Sequence, residues 1–351
     1  MLEGGGGNRR LVPLVELTRA RIKEFLREPE AMFWTFVFPV LLAVCLGLAF
    51  RDTPVDKVPV AVVEGPAARE LVAALQRSAA LKVRTLPEEE GRTALRAGKV
   101  SLLVIASAPP AYVYDPTRPE SHAARLEVDD ALQRAAGRAD AFQASRSEVK
   151  EPGARYIDFL IPGILGMNIM MAMWGLGFSI VTARLKNLLK RLTATPMRKS
   201  DYLLAQVLAR LLGLPLEIAV ILGFAHFVYG IRVRGSWLAF TAVLLAGVAA
   251  FSGIGLLVSS RTRTIEGLSG LMNLVLLPMW LVSGVFFSYE RFPDAVLPVI
   301  RALPLTLLVD ALRALINEGG GFTPLVTGSI AALGAWAAGT FAAALAIFRW
   351  R

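Results

Sequence analysis

Six stretches of this chain, at about 32–50, 158–182, 203–230, 237–259, 266–288 and 324–348, are almost wholly apolar. An α-helix of roughly 20 apolar residues spans the hydrocarbon of a bilayer, where every backbone polar group must be paired within the protein. The chain is therefore expected to be mainly α, a polytopic membrane protein with six transmembrane helices. Hydrophobic residues make up 55% of its 351 residues, more than a soluble chain of this length carries. The net charge of +10 fits the same frame, because Lys and Arg collect in the cytoplasmic loops of membrane proteins. With the amino terminus inside, the short cytoplasmic segments hold 16 Lys and Arg residues, and the opposite short loops hold 5 (Arg232, Arg234, Arg291, Arg301 and Arg313). Both termini are thus expected in the cytoplasm. The abundance of Ala, Arg and Gly points to a prokaryote, so the setting is a bacterial or archaeal plasma membrane. The polar, basic lead before the first span reads as part of an uncleaved anchor rather than a secretory signal.

Several chemistries are excluded. No basic-aromatic module of the RNA-binding kind accompanies the charge, so nucleic acid is not an expected partner. Cys45 is the one cysteine, and His122 and His226 lie far apart, so neither a disulfide nor a metal centre is expected. The phosphate-binding GxxxxGK[ST] loop is absent, as are HExxH and GxSxG, so the chain reads as no enzyme and binds no cofactor itself.

The spans divide the chain. Residues 1–31 form a cytoplasmic segment, with a glycine run expected to be unstructured and then an amphipathic helix. That helix places Leu11, Leu14, Val15, Ile22, Phe25 and Leu26 near one face, as in a helix lying in the membrane surface. Pro29 separates it from the first span at 32–50. Residues 51–155 read as a small α/β extracytoplasmic domain between helices 1 and 2. Its strands are expected at 58–65, 82–86, 101–107 and 111–115, and its helices at 68–81, 87–99 and 122–138. Residues 156–351 carry the remaining five spans. Within them, Pro293, Pro298 and Pro304 break 289–322 into pieces too short to cross, which suggests an outer re-entrant or interfacial helix pair.

The basic loop at 184–200 carries the sharpest signal. Leu185, Leu188, Leu189 and Leu192 fall at helical spacing, with Arg184, Lys186, Lys190 and Arg191 on the other faces. Thr195-Pro196 stops the helix, and Ser200-Asp201 offers a cap for the next span. Such a peg could dock in a groove of a cytosolic protein. An ordinary positive-inside anchor carries the same charges and keeps the alternative open. Glu217 lies near the middle of the third span, where a carboxylate exposed to lipid costs about 2.5–3.5 kcal/mol. It is a pathway candidate, with a hydrogen bond between helices as the alternative. Asn168 and Asn273 could line a pathway or glue helices together, and the Met167, Met170, Met171 and Met173 cluster could meet greasy ligands or fill a core. Glu266 is expected to pair with Arg261 or Arg263. Small residues four apart in the last span, Gly328 with Ala332 and Ala335 with Gly339, suggest close helix packing.

Taken in order, YIDFLIPG (156–163), LKRLTATPMRKSDYLLAQVLARL (189–211), LPMWLVSGVFFS (277–288) and LPLTLLVDALR (303–313) resemble the permease subunits of type-2 ATP-binding-cassette exporters. ALRAGKVSLLVIAS (94–107) is similar to the extracytoplasmic domain of the longer members. The resemblance implies a dimer of permease chains, identical or not, around a central pathway, with lipid around it and two ATPase subunits below that carry ATP and Mg. Residues 11–28, with Arg19 and Lys23, and the loop at 184–198 match the elements that receive the ATPase. The aromatics and prolines of 286–313, with Phe286, Phe287 and Pro304, match the outer element that closes the exit. The cargo expected on this basis is a hydrophobic or amphipathic, drug-like compound. A lipid or glycolipid cargo is one alternative, and a non-transporting scaffold that relays ATPase motion outward is another. The outer domain is larger than in the lipid-polysaccharide branch, so no substrate carries over from those members.

Overall fold

The computed structural model describes residues 8–50, 57–107, 109–138, 155–188 and 199–347. The glycine run and residues 189–198 of the basic loop lie outside them. The chain forms two compact units, one of residues 1–50 with 149–351 and the other of 51–148. The first opens with α1 (Asn8–Arg27) and stops at the extended Glu28, after which Pro29 starts α2 (Pro29–Met32). A proline belongs there because a first-turn N–H has no partner inside the helix. A π-turn (Phe33–Val37) joins α2 to α3 (Phe38–Ala49), and together they make the first span.

The second unit is a four-stranded sheet with helices. Its elements in chain order are β1 (Val58–Val63), α4 (Ala68–Leu75), β2 (Leu81–Leu86), α5 (Glu88–Arg96), β3 (Leu102–Ile105), β4 (Ala111–Val113) and α6 (Pro119–Ala135). The strand order is β2-β1-β3-β4, with β1 parallel to β2 and β3, and β4 antiparallel to β3. Strand β1 is buried on both faces, as a central parallel strand must be. Val60, Val62, Leu102 and Val104 pack with Leu75 and Val128 on one side, and Ala61 and Leu103 pack with Leu95 on the other.

The membrane unit continues with α7 (Tyr156–Leu185), α8 (Lys199–Tyr229), α9 (Trp237–Ser259) and α10 (Ile265–Val282). Two short helices follow, α11 (Leu297–Ala302) and α12 (Pro304–Arg313), the latter extended by a π-turn (Ala314–Glu318). Helix α13 (Pro324–Ile347) closes the unit. Six helices are long and apolar enough to cross a membrane, with the small sheet between the first and second. Helix α7 is apolar nearly all round, and it sits in the core. Leu160, Ile161, Ile164, Leu165, Met170 and Met173 are buried against α9, α10 and α12.

Two expectations change here. The fifth span ends at Val282 rather than 288, because Gly284 takes the left-handed conformation (φ 74°) that terminates helices. The chain then passes so close to α7 that a Cβ on Gly163 would lie 2.5 Å from the Val285 carbonyl oxygen. In the last span, Gly328, Ala335 and Gly339 are exposed, and Gly339 lines an open apolar groove with Trp336 and Leu257. The close approach of α9 to α13 uses Gly253, which packs on Thr340.

Candidate functional site

The basic end of the membrane unit gathers the terminus of α7, the start of α8 and helix α1. Helix α7 stops at Leu185, and Asn187 is left-handed at φ 54°. Asn tolerates that conformation better than most residues. The leucine spacing across 185–192 is therefore not carried by one continuous helix. Leu185, Lys186 and Leu188 are exposed beyond or at the break. Leu189, Lys190, Arg191, Leu192, Thr195 and Pro196 lie outside the described residues. Arg184 turns inward. Its guanidinium donates to the carbonyls of Ser259 (3.1 Å), Ser260 (3.2 Å) and Thr262.

Helix α1 packs along α8, and Leu14, Thr18, Ile22 and Phe25 are among the less exposed apolar and hydroxyl residues of its described part, with the Phe25 ring centroid 6.4 Å from that of Phe36. Arg21 pairs with Glu24 (2.6 Å) and donates to the Gly175 carbonyl (3.2 Å). Arg19 and Lys23 are exposed, one turn apart. Val15 and Leu26, assigned to the same apolar face as Leu14, are each 58% exposed. The apolar face is thus wider than its seam with α8, and its open half suits contact with lipid. Glu266 pairs with neither Arg261 nor Arg263, and all three are exposed.

Midway along the spans, Glu217 is 3% exposed and ion-paired with Arg210 of the same helix, whose Nη2 donates to Oε2 at 2.7 Å. Two turns separate them, so both lie on one side of α8. Arg210 was not singled out in the sequence, although opposite charges seven apart in an apolar helix are a readable signal. Asn168 is buried and its Nδ2 donates to the Thr35 carbonyl at 2.9 Å. That carbonyl is the one an α-helical N–H at position 39 would reach, and position 39 is proline. The same arrangement recurs in α7. Pro162 removes the donor for the Asp158 carbonyl, and Asn317 Nδ2 supplies one at 2.9 Å. Met171 is half-buried, and Asn273 is exposed beside Leu274 on the open face of α10.

The Asn168 pairing makes a prediction. Asn168→Leu should cost about 1–3 kcal/mol by leaving the Thr35 carbonyl short of a donor. Pro39→Ala, which restores a backbone N–H, should recover part of that in the double variant. Equilibrium unfolding in mixed micelles reads both, and a double variant no more stable than Asn168→Leu would sink the explanation.

At the opposite end, the π-turn and short helices are knitted to α7 and to the end of α10. The Tyr156 hydroxyl donates to the Phe286 carbonyl (2.8 Å), and Arg155 pairs with Asp158 (2.9 Å) while donating to the Tyr229 carbonyl (3.0 Å). Arg313 Nη2 donates to the Gly284 carbonyl (2.8 Å), Nη1 faces Asp310 (3.4 Å), and the guanidinium lies 3.9 Å from the Phe159 ring centroid. The Tyr289 hydroxyl donates to the other Asp310 oxygen (2.8 Å). Burial pushes the Asp310 carboxyl above the ordinary carboxylate range, against the pull of Tyr289 and Arg313. Burial, then the Asp310 charge, pushes Tyr289 up to about 12, so it stays a donor. Phe286 is half-buried, the Phe287 and Phe292 rings lie tilted with centroids 6.2 Å apart, and Pro304 is buried in the first turn of α12. From sequence Arg313 reads only as one of the loop cations, and nothing local marks Asp310 as its partner.

A family model described as an ABC-2 family transporter protein matches residues 30–346. The chain belongs to the ABC-2 transporter family. As an ABC-2 permease with six membrane-length helices, it is an integral membrane protein. It is 25% identical over 203 residues to the linearmycin resistance permease protein LnrN of Bacillus subtilis (strain 168), an alignment covering 58% of this chain and 51% of the relative. It is 25% identical over 171 residues to the probable multidrug ABC transporter permease YbhS of Escherichia coli (strain K12), covering 48% and 45%. A daunorubicin resistance ABC transporter permease protein of Streptomyces coeruleorubidus is 24% identical over 174 residues, covering 48% and 60%. The chain spans about half the length of the curated relatives it matches. In this ABC-2 permease the match begins at residue 30, just after α1, so that helix lies outside the matched range.

Proposed function

We propose that the chain is the permease subunit of an ATP-driven exporter that moves a hydrophobic or amphipathic, drug-like compound out across a prokaryotic plasma membrane. The observation that carries this reading is the family match over 30–346, joined to relatives named for linearmycin, multidrug and daunorubicin resistance. The chain has no phosphate-binding loop of its own, so the ATP and Mg belong to two ATPase subunits, and a second permease chain completes the pathway. Both termini face the cytoplasm on the strength of the charge asymmetry. The ATPase then meets Arg19 and Lys23 of α1 and the basic loop from Leu185 onward, and the outer latch around Arg313 closes the exit.

The test uses the chain with whatever it retains on purification. Wild type should retain a nucleotide-hydrolysing companion and drive ATP-dependent efflux from proteoliposomes. Arg19→Glu with Lys23→Glu, joined to Leu188→Asp, should cut retention of the companion roughly tenfold or more. Each exposed charge pair contributes about 0.2–1 kcal/mol and the leucine about 1.5–3. Efflux from a preparation lacking any such companion ends the reading.

A further inference from the structure

Along its basic half, α7 is attached to α9 and α10 far more firmly than to α8. A Cβ on Gly255 of α9 would lie 2.8 Å from the Met173 carbonyl oxygen, so the two backbones touch. One turn on, a Cβ on Gly177 would meet Met272 at 2.5 Å and Leu268 at 3.3 Å, both on α10. At the end of the helix, Arg184 reaches the turn that joins α9 to α10. The last carbonyls of a helix have no internal partner and carry the negative end of its dipole. Here the hydroxyls of Ser259, Ser260 and Thr262 bond back into α9, at 2.8, 2.7 and 2.6 Å. Their carbonyls face outward and Arg184 takes all three. Ser259 and Ser260 are fully buried, so the guanidinium meets their carbonyls away from the surface. Thr264 then caps α10 through the Gly267 N–H (3.1 Å), which makes the connection between the two spans short and held at both ends. By contrast, among the described residues of this half, the side-chain bonds between α7 and its other neighbours are a Gln206–Ser179 bond (3.1 Å) to α8 and the Arg21–Gly175 contact to α1.

We infer that Arg184 is a positioning residue that passes displacement of the basic loop into the α9–α10 turn, so that spans two, four and five move as one body against span three and α1. The inference rests on the ATPase-driven reading above. Arg184 sits three residues before the left-handed Asn187, where the loop leaves the helix. A push on the loop is therefore delivered at Arg184, and a planar fork holding three carbonyls resists shear where the donors of one ammonium nitrogen pivot.

Two measurements on the complex test this. With Cys45 replaced by Ser, spin labels on exposed Phe178 and Arg263 report α7 against the turn, and labels on Phe178 and Leu208 report α7 against α8. Between nucleotide-free and vanadate-trapped states, the 178–263 distance should hold while the 178–208 distance changes. Equal movement of both pairs, or of neither, overturns the inference. Arg184→Lys should then lower the melting temperature but leave the folded complex with its ATPase, while transport per ATP hydrolysed falls roughly tenfold, because one ammonium does not hold the geometry that the planar fork holds. An unchanged transport-to-ATP ratio in Arg184→Lys means the residue is only a helix cap, and overturns the inference with the exporter reading intact. Transport without any hydrolysing companion instead overturns the exporter reading, and this inference with it.

Discussion

Replacing Arg210 with Met is expected to destabilise the protein by about 3–5 kcal/mol, and adding Glu217→Leu should restore most of that loss. The reason is an asymmetry of buried charge. As a pair, Arg210 and Glu217 neutralise each other inside α8, with Glu217 only 3% exposed. Removing the cation strands a buried carboxylate in an apolar helix, with no second cation paired to it among the described residues. Removing both replaces a costly pair with packing that costs little. Unfolding in mixed micelles reads both variants. The experiment also decides what Glu217 is for. If the pair is a structural clasp, Arg210→Met is severe and the double variant is close to wild type. If Glu217 instead looks into a wet pathway, Arg210→Met costs less than about 1 kcal/mol, because solvent screens an exposed charge, and efflux changes while stability does not.

What could be read in the chain was the part that depends on local pattern. The span lengths follow from apolar runs, the end of α1 from Pro29, the alternation of β1–β3 with helices from short apolar runs between turn signals, and the break-up of 289–322 from its prolines. What could not be read depends on contacts between distant residues. Asn168 reads equally as a pathway residue or as glue between helices, and nothing local decides, because the carbonyl it serves lies 133 residues away. Arg184 looked like a docking cation because nothing local shows that the carbonyls of Ser259, Ser260 and Thr262 face it, at a separation of 75–78 residues. The leucine stripe of the basic loop is cut between Leu185 and Leu188, and Leu189 and Leu192 lie outside the described residues. Periodicity assumed a continuous helix, and the left-handed Asn187 interrupts it. The small-residue spacing of α13 does not say which face meets another helix, and within the chain the close approach to α9 runs through Gly253 on Thr340.

Arg313→Met should weaken the cluster around Asp310 and Gly284 by about 3 kcal/mol at neutral pH, with a smaller deficit near pH 4. Arg313 holds the Gly284 carbonyl, Asp310 and the Phe159 ring together, so its loss leaves an acceptor and a half-satisfied carboxylate in a region that is mostly apolar. The pH dependence follows from the direction of the Asp310 shift. Burial raises its folded-state affinity for a proton, and Arg313 is one of the groups that oppose the rise. A carboxyl with a raised folded pKa stabilises the fold most below the unfolded value of about 3.9, and that contribution is lost as pH climbs through the folded value. Without Arg313 the folded value rises further, so the variant loses more stability than wild type as pH goes from 4 to 7. Asp310→Asn in the Arg313→Met background should remove this extra slope and recover part of the stability, since an amide is neutral at every pH in the range. A deficit that is the same at pH 4 and pH 7 would show that Arg313 holds the cluster through its carbonyl and ring contacts alone, with no share for the Asp310 charge.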